Sequence, residues 1–354
     1  MNYRVSRIFF LFLGLNLVFL GNGFSQIGGQ NTYAFLNFTN SARLASLGGN
    51  QVSIKDGDLN MVLSNPSILS PDMDQKLVVN YVNYYAGINY AYFSYARNLK
   101  TFGTLAAGLH SIDYGTFKET DETGVETGNF RASEYSLNLF WSKEISKSLS
   151  VGANVKPVLS VLDHLTSFGL LSDVGMYFSQ PGSLFSAGAV VTNIGSQIKP
   201  YYAGNYEPVG FDVKVGITQK LAHAPFRVSI LADHLQKFDL TYNNSYENSY
   251  QPDTSAKKKS KGREFADKIM RHIIIGVEFL PSKNFNINLG FDYQRRKELA
   301  VSTRPFLTGF SAGFGIKINR FQFSYARSQY HLAGASNLFS ISTNLNDFYK
   351  KNKI

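Results

Sequence analysis

The 354-residue chain has no cysteine, a single tryptophan and few charged residues, which make up 17% of the sequence. Without cysteine there is no disulfide bond, no thiolate metal site and no thiol-based active site. After residue 25, no run approaches the roughly 18 consecutive apolar residues that indicate a membrane-spanning helix. Aromatic and small residues are abundant instead, with 29 Phe, 21 Tyr and 30 Gly. This combination is typical of membrane β-barrels, whose strands carry girdles of aromatic side chains.

The first 25 residues have the pattern of an export signal. Arg4 and Arg7 form a basic start, and Ile8 to Leu20 is an apolar run of 13 residues. Small residues follow, with Gly23 and Ser25 just before a predicted cut after Ser25. The alternative is an uncleaved anchor, but a spanning helix needs about 20 residues. We therefore expect a protein that leaves the cytoplasm, which argues against nucleic acid as a natural partner.

The stretch from Phe285 to Gln294 shows the pattern on which the chain is built. Its odd-numbered residues, from Phe285 to Tyr293, are all apolar or aromatic, and its even-numbered residues are Asn, Asn, Gly, Asp and Gln. Neighbouring side chains of a strand point to opposite faces, so the stretch predicts a strand with one apolar and one polar face. Its length also suits a tilted strand that crosses a bilayer, which needs roughly 9–11 residues.

About fourteen segments after residue 75 are predicted to be strands, an even number, as in bacterial single-chain barrels. The predicted strands are 76–85, 88–98, 102–114, 128–145, 149–162, 168–179, 183–194, 209–222, 226–237, 269–280, 284–297, 306–318, 321–331 and 336–345. A soluble β-sandwich also contains alternating strands, so alternation alone does not distinguish the two folds.

The lengths of the connections favour the barrel. Those after even-numbered strands are short, whereas those after odd-numbered strands include the long ones, at 115–127, 195–208, 238–268 and 298–305. Outer-membrane barrels have short periplasmic turns and longer external loops, a segregation for which a sandwich has no reason. The sequence therefore predicts an all-β transmembrane antiparallel β-barrel of about 14 strands, with both termini in the periplasm and the long loops outside.

The segment between the export signal and the first strand is predicted to be a plug. A short helix from Ser41 to Leu47 ends at Gly48-Gly49, a short strand is predicted at Val52 to Lys55, and an apolar turn or helix at Leu59 to Leu63. The predicted organisation is an export signal at 1–25, an N-terminal periplasmic or lumenal plug at 26–75, an outer-membrane β-barrel at 76–345 and a C-terminal tail at 346–354.

Motifs in the plug segment resemble the N-terminal hatch of the FadL-like outer-membrane barrel superfamily. An Ala-Arg, a Leu-Gly-Gly, an acidic residue and an Asn-Pro precede the first strand; these are Ala42, Arg43, Leu47, Gly48, Gly49, Asp58, Asn65 and Pro66. The residues around them are similar to the start of the PorQ-like branch of that superfamily, which serves type IX secretion in Bacteroidota; these are Gly28, Gly29, Tyr33, Phe35, Leu36 and Ser41. The resemblance covers about 40 residues.

The resemblance implies a non-enzymatic anchor of the type IX attachment complex. Such a barrel holds a PorZ-like surface protein beside a PorU-like sortase and a PorV-like shuttle barrel, and the complex joins secreted cargo to lipopolysaccharide. The alternative is a FadL-like outer-membrane transporter of hydrophobic compounds. A third possibility is an outer-membrane enzyme.

The external loops contain the candidate partner-docking residues. A transporter of apolar compounds is expected to capture them in apolar external loops. Here the longest predicted loop, 238–268, is rich in Asn, Ser, Lys and Tyr, which favours protein docking. Tyrosine is enriched in interface cores, so docking is predicted at Tyr201, Tyr202, Tyr206, Tyr242, Tyr246 and Tyr250.

A basic run in the same loop is the candidate polyanion contact, and it consists of Lys257, Lys258, Lys259, Lys261 and Arg263. Outside an outer membrane the available polyanion is lipopolysaccharide, and the alternative is a solvated loop. These five charges make up half of the net charge of +10, which therefore does not indicate binding to nucleic acid.

Catalytic, cofactor and metal sites are not predicted. Five histidines are predicted near the external strand ends, namely His110, His164, His234, His272 and His331. Asp163-His164 and Asp233-His234 are adjacent in sequence, so on a strand neither pair would form a dyad. Four charged residues, Asp292, Glu278, Lys214 and Arg327, are predicted to face the lumen. They could line a pore, but internal ion pairs under the plug are favoured, and Arg43 is expected to pair with one of them.

Overall fold

The computed structural model describes residues 31–84, 87–241, 261–299, 307–331 and 334–349. Within them, fourteen antiparallel strands form a closed barrel in which each strand pairs with its sequence neighbours and β1 pairs with β14. The strands are β1 Lys76–Asn83, β2 Asn89–Asn98, β3 Thr104–Thr120, β4 Glu126–Glu144, β5 Leu149–Leu162, β6 Leu165–Phe178, β7 Phe185–Lys199, β8 Asp212–Lys220, β9 Phe226–Ala232, β10 Ile273–Ser282, β11 Phe285–Asp292, β12 Phe310–Ile318, β13 Phe321–His331 and β14 Gly334–Asn344. The predicted fold and strand number are confirmed.

The described residues also form four α-helices: α1 Ala42–Ser46, α2 Lys261–Met270, α3 Tyr293–Leu299 and α4 Asn346–Tyr349. Short 3-10 helices lie at Ala34–Asn37, Leu59–Leu63, Pro66–Ile68, Pro71–Met73 and Lys100–Phe102. In the described part of the chain, no helix has the length and apolar character needed to cross a membrane.

The barrel wall is apolar outside and polar inside. On β4, Leu137 and Leu139 are 42% and 46% exposed, whereas the intervening Asn138 is 1% exposed. On β11, Leu289 is exposed while Asn288 is buried. A soluble sandwich would bury the apolar face, so this inverted arrangement is that of a transmembrane β-barrel, in which closure leaves no strand edge unpaired in lipid.

The two ends of the barrel differ as predicted. Two-residue and other short turns connect the strands at the end that carries the start of β1 and the end of β14, and the longer connections lie at the opposite, external end. Several predicted boundaries were wrong. The loop predicted at 115–127 is mostly a hairpin, because β3 and β4 stay paired as far as Thr120 and Glu126.

Two further boundaries were wrong because helices replace the predicted structure. The predicted strand 284–297 ends at Asp292, where the carboxylate accepts a hydrogen bond from the Arg295 N–H (2.9 Å) and starts α3. The predicted loop 238–268 contains most of α2.

The β5–β6 connection is a tight turn in which Asp163 adopts a positive φ of 57°.

The plug lies inside the barrel. Helix α1 starts at Ser41, whose hydroxyl accepts a hydrogen bond from the Leu44 N–H (3.4 Å), and it ends at Gly48 and Gly49, both with positive φ. The predicted helix is thus confirmed. The predicted strand at Val52 to Lys55 was wrong, because this segment has no strand neighbour and the Val52 carbonyl instead accepts from the Asn65 side chain (2.8 Å).

Candidate functional site at the external mouth and its plug

The plug is hydrogen-bonded to strands around the whole barrel. The Ala42 N–H donates to Ser340 Oγ on β14 (2.9 Å), and the Tyr90 hydroxyl on β2 donates to the Thr39 carbonyl (2.6 Å). On the opposite side, Ser186 on β7 donates to the Ser53 carbonyl (2.7 Å). These contacts satisfy backbone groups that would otherwise be buried without partners, so the plug is fixed to the wall rather than loosely enclosed.

Glycines on the inner wall let the plug backbone approach closely. A Cβ atom at Gly290 of β11 would lie 2.1 Å from the Gly48 nitrogen, and one at Gly188 of β7 would lie 2.0 Å from the Val52 carbonyl oxygen. Both distances are shorter than any Cβ contact, and both involve backbone, which cannot rotate away. The glycines on these two strands are therefore required by the plug.

A buried ion-pair cluster, called the plug lock below, ties the plug to β9 and β10. Arg43 of α1 contacts Asp56 (2.6 Å), Asp58 (3.0 Å) and Glu278 of β10 (2.9 Å). Arg227 of β9 contacts Asp56 (2.8 Å) and Glu278. The Glu278 side chain is 1% exposed, so its charge is stabilised by these two guanidinium groups. The predicted pairing of Arg43 with an inward charge is present in the structure.

The cavities that remain beside the plug are polar. The larger one, of about 480 Å³, lies at the plug lock and is lined by Arg43, Asp56 and Arg227, among others. A cavity of about 50 Å³ lies between the plug and the wall and is lined by Asn40, His110, Lys156, Asp173 and Asn193, among others. Lys156 contacts Asp173 (2.6 Å) and Asn193 (2.5 Å), so its charge is paired. A space of this size holds water, and its polar lining does not suit an apolar ligand.

A larger cleft, called the mouth cleft below, opens at the external end above the plug. It has a volume of about 640 Å³. Its walls are Tyr114, Phe117, Phe130, Ala132, Glu134, Leu162, Leu165, Tyr201, Tyr202 and Glu207, and its floor is formed by the plug residues Asn31, Thr32, Tyr33 and Ala34. Phe117 and Phe130 are register partners whose rings stack with centroids 5.2 Å apart.

Three tyrosine hydroxyl groups around the mouth cleft are hydrogen-bonded, so the rings of these residues contribute mainly apolar surface to the cleft. The Tyr114 hydroxyl donates to Glu134 (2.5 Å), and the Tyr201 hydroxyl donates to Ser160 Oγ (2.6 Å). The Tyr33 hydroxyl lies 2.6 Å from Ser167 Oγ. A largely apolar cleft with a few fixed polar groups is the usual form of a small-molecule site.

The cleft was not predicted from the sequence. The residues that form it come from β3, β4, β5, β6, the β7–β8 loop and the plug, and only the barrel closure brings them together. Phe117 lies in the predicted loop 115–127, whereas Phe130 lies in the predicted strand 128–145, so the prediction did not pair them. Residues 115–130 contain only three large apolar residues, Phe117, Val125 and Phe130, and do not alternate, so periodicity does not indicate the hairpin.

The predicted docking tyrosines fall into three groups. Tyr202 and Tyr206 are 60% and 62% exposed at the external end, as docking requires. Tyr201 instead is half-buried in the mouth cleft. Tyr242, Tyr246 and Tyr250 lie outside the described residues. Of the basic run, Lys261 and Arg263 lie on α2, and Lys257, Lys258 and Lys259 lie outside the described residues.

All eight hatch-motif residues lie within the plug. Ala42, Arg43, Asp58 and the two glycines make the contacts given above. Leu47 is fully buried. Asn65 caps the 3-10 helix that starts at Pro66, and the Asn65 side chain also donates a hydrogen bond to the Val52 carbonyl. These contacts explain the motif as plug construction. The signal peptide and its cut site lie outside the described residues.

Three predictions about the charged and histidine residues were wrong. Arg327 faces outward, because its neighbours Ala326 and Ser328 are buried. His110 lies on the inner wall in contact with Phe35 of the plug, with ring centroids 5.4 Å apart. Asp163 and His164 do contact each other (2.5 Å), because they form a turn rather than a strand.

The other predicted polar residues form structural pairs. His234 contacts Asp212 across β8 and β9 (3.2 Å), and Lys214 contacts the same carboxylate (3.3 Å). His272 is buried, with its ring nitrogens bonded to the carbonyls of Asp233 and Phe238. Within the described ranges, no group of three or more His, Asp or Glu residues is arranged to hold a metal ion.

No family model and no curated protein matches the sequence. Among solved structures, the toluene transporter TodX of P. putida is 13% identical, with coverage of 88% of this chain and 99% of that chain and a TM-score of 0.51. A deltaS2 mutant of TodX, described as a monoaromatic hydrocarbon channel, is 14% identical, with coverage of 87% and 99% and a TM-score of 0.52. A FadL homologue of Pseudomonas aeruginosa is 11% identical, with coverage of 86% and 98% and a TM-score of 0.46. The TodX comparisons show the fold: the chain is a plugged fourteen-stranded barrel similar to TodX.

Proposed function

We propose that the protein is an outer-membrane barrel that takes up small hydrophobic compounds through its external mouth. The mouth cleft carries this proposal, because it has a volume of about 640 Å³ and a largely apolar lining with several aromatic rings directly above the plug. Its size suits a ligand of one or a few rings. The TodX structures, one described as a toluene transporter and one as a monoaromatic hydrocarbon channel, have a similar fold and support the same function.

Passage through this barrel requires movement of the plug. The plug lock and the close contacts at Gly188 and Gly290 hold the plug across the lumen, and the described cavities beside the plug are polar. An apolar compound held in the mouth cleft rests on Thr32, Tyr33 and Ala34, so binding there acts on the end of the plug that must shift. The mouth cleft is therefore the capture site, and plug rearrangement is the transport step.

Binding of toluene to the full-length protein in detergent tests the capture step. The double variant Phe117→Ala, Phe130→Ala removes the stacked pair and is expected to weaken binding by about tenfold or more. The matched control is Phe226→Ala, Phe279→Ala, which removes a pair of similar geometry (5.1 Å) on the outer wall of β9 and β10. Equal binding by the two double variants would show that the mouth cleft is not the site.

The second candidate function is an anchor for a surface protein, as the resemblance to the PorQ-like branch implies. The shape of the external face and its exposed tyrosines favour this function. The β3–β4 hairpin extends the wall, and Tyr202 and Tyr206 are exposed beside it, which gives a tyrosine-bearing platform suited to protein docking. A sealed lumen also fits a scaffold. The proposed partners are a PorZ-like surface protein, a sortase and a shuttle barrel, with contact to lipopolysaccharide.

Affinity purification from gently solubilised outer membranes distinguishes the two functions. An anchor is expected to retain a large surface protein, and the double variant Tyr202→Ser, Tyr206→Ser is expected to lose most of it. The double variant Phe117→Ala, Phe130→Ala is expected to reduce retention of the surface protein if the hairpin forms part of the same docking platform. Recovery of the barrel without protein partners, combined with toluene binding, would reject the anchor and support uptake.

A further inference from the structure

We infer that the periplasmic end of the barrel binds an acidic, extended segment of a periplasmic protein. The site is the cavity of about 480 Å³ at the plug lock, called the vestibule below. Besides residues of the plug lock, its lining includes Lys76, Lys220, Lys283, Asn286, Gln322 and Ser342. The vestibule and the mouth cleft lie at opposite ends of the barrel, so the inference does not depend on either proposed function.

The vestibule lysines are directed inward by their strand positions. On β1, Lys76 has the same parity as Val78, which is buried against the plug. Lys220 of β8 is the register partner of Arg227 on β9, which belongs to the plug lock. Lys283 lies in the turn between β10 and β11 and lines the same cavity. The three ammonium groups therefore surround one recess inside the barrel.

The charges of the vestibule do not balance. Among the described residues, its lining holds five cationic side chains and two carboxylates, and Glu278 adds a third carboxylate behind them. The two arginines of the plug lock pair with all three carboxylates. The lysines therefore leave an excess of positive charge that faces the periplasm.

Lys220 and Lys283 are the cations most available to a ligand. Both are exposed, and within the described ranges neither ammonium group has a hydrogen-bond or ion-pair partner. The acidic side chains outside those ranges are Glu247 and Asp253, which belong to the connection between the external ends of β9 and β10. Residues 350–354, which follow α4 at the periplasmic end, contain three lysines and no acidic side chain. The undescribed segments therefore supply no acidic side chain to this end.

The short turns around the vestibule are also basic. The six connections at 99–103, 145–148, 179–184, 221–225, 283–284 and 319–320 contain no acidic residue and four cations, which are Lys100, Lys147, Lys283 and Arg320. A cationic recess within a basic rim attracts an acidic partner over a distance and speeds its encounter with the site.

The spread of the cations favours a ligand with several carboxylates. Lys76 on β1 and Lys220 on β8 are seven strands apart in a barrel of fourteen, so they lie on opposite sides of the vestibule. One small anion does not bridge them, whereas an extended segment with several Asp or Glu residues does. Between them, Asn286, Gln322 and Ser342 offer hydrogen bonds to a peptide backbone. Phospholipid head groups outside the wall do not reach this inward recess, which argues against an anionic lipid.

Fluorescence polarisation with labelled hexaglutamate tests the site on the full-length protein in a neutral detergent. The wild type is expected to bind hexaglutamate at least about tenfold more tightly than hexaglutamine, with an affinity that falls as salt is added. The double variant Lys220→Gln, Lys283→Gln is expected to lose about tenfold in affinity for hexaglutamate. The matched control is Lys100→Gln, Lys147→Gln, which removes the same charge from exposed turn positions outside the vestibule and is expected to change the affinity less than twofold.

Equal losses in the two double variants would overturn the inference, because they would assign the binding to surface charge in general. Equal binding of hexaglutamate and hexaglutamine would also overturn it. Displacement of hexaglutamate by inorganic phosphate or by phosphatidylglycerol micelles at the same charge concentration would assign the lysines to small anions or to lipid instead. Lys220→Arg, Lys283→Arg keeps both charges and is expected to retain most of the affinity, and heat-modified mobility in electrophoresis checks that each barrel has formed.

Discussion

At the residue scale, the best-defined feature is Arg43, whose guanidinium group is held by carboxylates from both the plug and the wall. Replacing it with Met leaves Glu278 buried with Arg227 as its remaining partner. Loss of one partner from a buried ion pair costs about 3–5 kcal/mol. We expect Arg43→Met to lower the free energy of unfolding by an amount of this order, measured by urea titration in vesicles with the fluorescence of Trp141.

Lys118→Met is the matched control, because Lys118 pairs with Glu126 on the exposed hairpin. An exposed pair contributes at most about 1 kcal/mol. Adding Glu278→Gln to Arg43→Met removes the uncompensated charge and is expected to recover part of the loss. If Arg43→Met and Lys118→Met had equal effects, the plug lock would not stabilise the fold.

The junction after β9 gives a prediction about pH. Burial raises the pKa of Asp233 to about 6. Burial alone would lower the pKa of His234, but its hydrogen bond to Asp212 and the charge of Asp233 raise it above the ordinary value. An acid with a raised pKa destabilises the fold once it ionises, and a histidine with a raised pKa stabilises it only while it is protonated. Stability is therefore lost from both groups as the pH rises.

We expect Asp233→Asn to remove the part of this loss that falls between about pH 4 and pH 6. The variant should be more stable than the wild type at pH 7 by up to about 2 kcal/mol and similar to it near pH 4. Urea titrations at both pH values measure the difference. A variant that is equally destabilised at both would show that Asp233 acts through its hydrogen bonds alone.

At the scale of elements, the plug and the wall are matched to each other. Gly290 on β11 is required by the backbone of Gly48, so we expect Gly290→Val to displace α1 and to open a path beside the plug. The expected result is a measurable ion conductance in planar bilayers, where the wild type shows little. Gly315→Val is the control, because the nearest atoms there belong to the Asn286 side chain, which can move.

The elements also show how far the sequence determines the structure. Alternation predicted the strands, because each strand has one face towards lipid and one towards the lumen, as in Phe285–Asp292. It did not predict the end of β11, because Tyr293 continues the apolar parity although the backbone turns into α3. The plug helix was predicted correctly from its capping residues. Val52 to Lys55 was predicted as a strand but has an irregular conformation, which depends on contacts with the wall such as that of the Ser53 carbonyl with Ser186.

The candidate sites were predicted less well than the fold. The exposure of Tyr202 and Tyr206 was predicted from their position in an external loop. The mouth cleft was not predicted, because its residues come from six segments that only closure of the barrel brings together. The outward position of Arg327 was available from parity, since Phe321, Phe323 and Tyr325 share its face. The prediction that Arg327 faces the lumen was wrong, because strand parity outweighs its charge at this position.

At the scale of the whole molecule, the orientation of the barrel determines which compounds and proteins can reach the mouth cleft and the exposed tyrosines. The short turns place the start of β1 and the end of β14 in the periplasm, which puts the mouth cleft, the hairpin tip and the exposed tyrosines outside the cell. Single cysteines test this directly, because the chain has none of its own. Suitable positions are Glu122 at the hairpin tip, Ala203 in the β7–β8 loop and Thr101 in the β2–β3 turn, all exposed.

We expect a membrane-impermeant maleimide to label Glu122→Cys and Ala203→Cys on intact cells, and to label Thr101→Cys only after the outer membrane is permeabilised. The wild type serves as the unlabelled control. Labelling of Thr101→Cys alone on intact cells would invert the barrel, and the mouth cleft would then open into the periplasm. In that case neither capture of external compounds nor docking of a surface protein would be possible at this end, because both need Tyr202 and Phe117 to face outward.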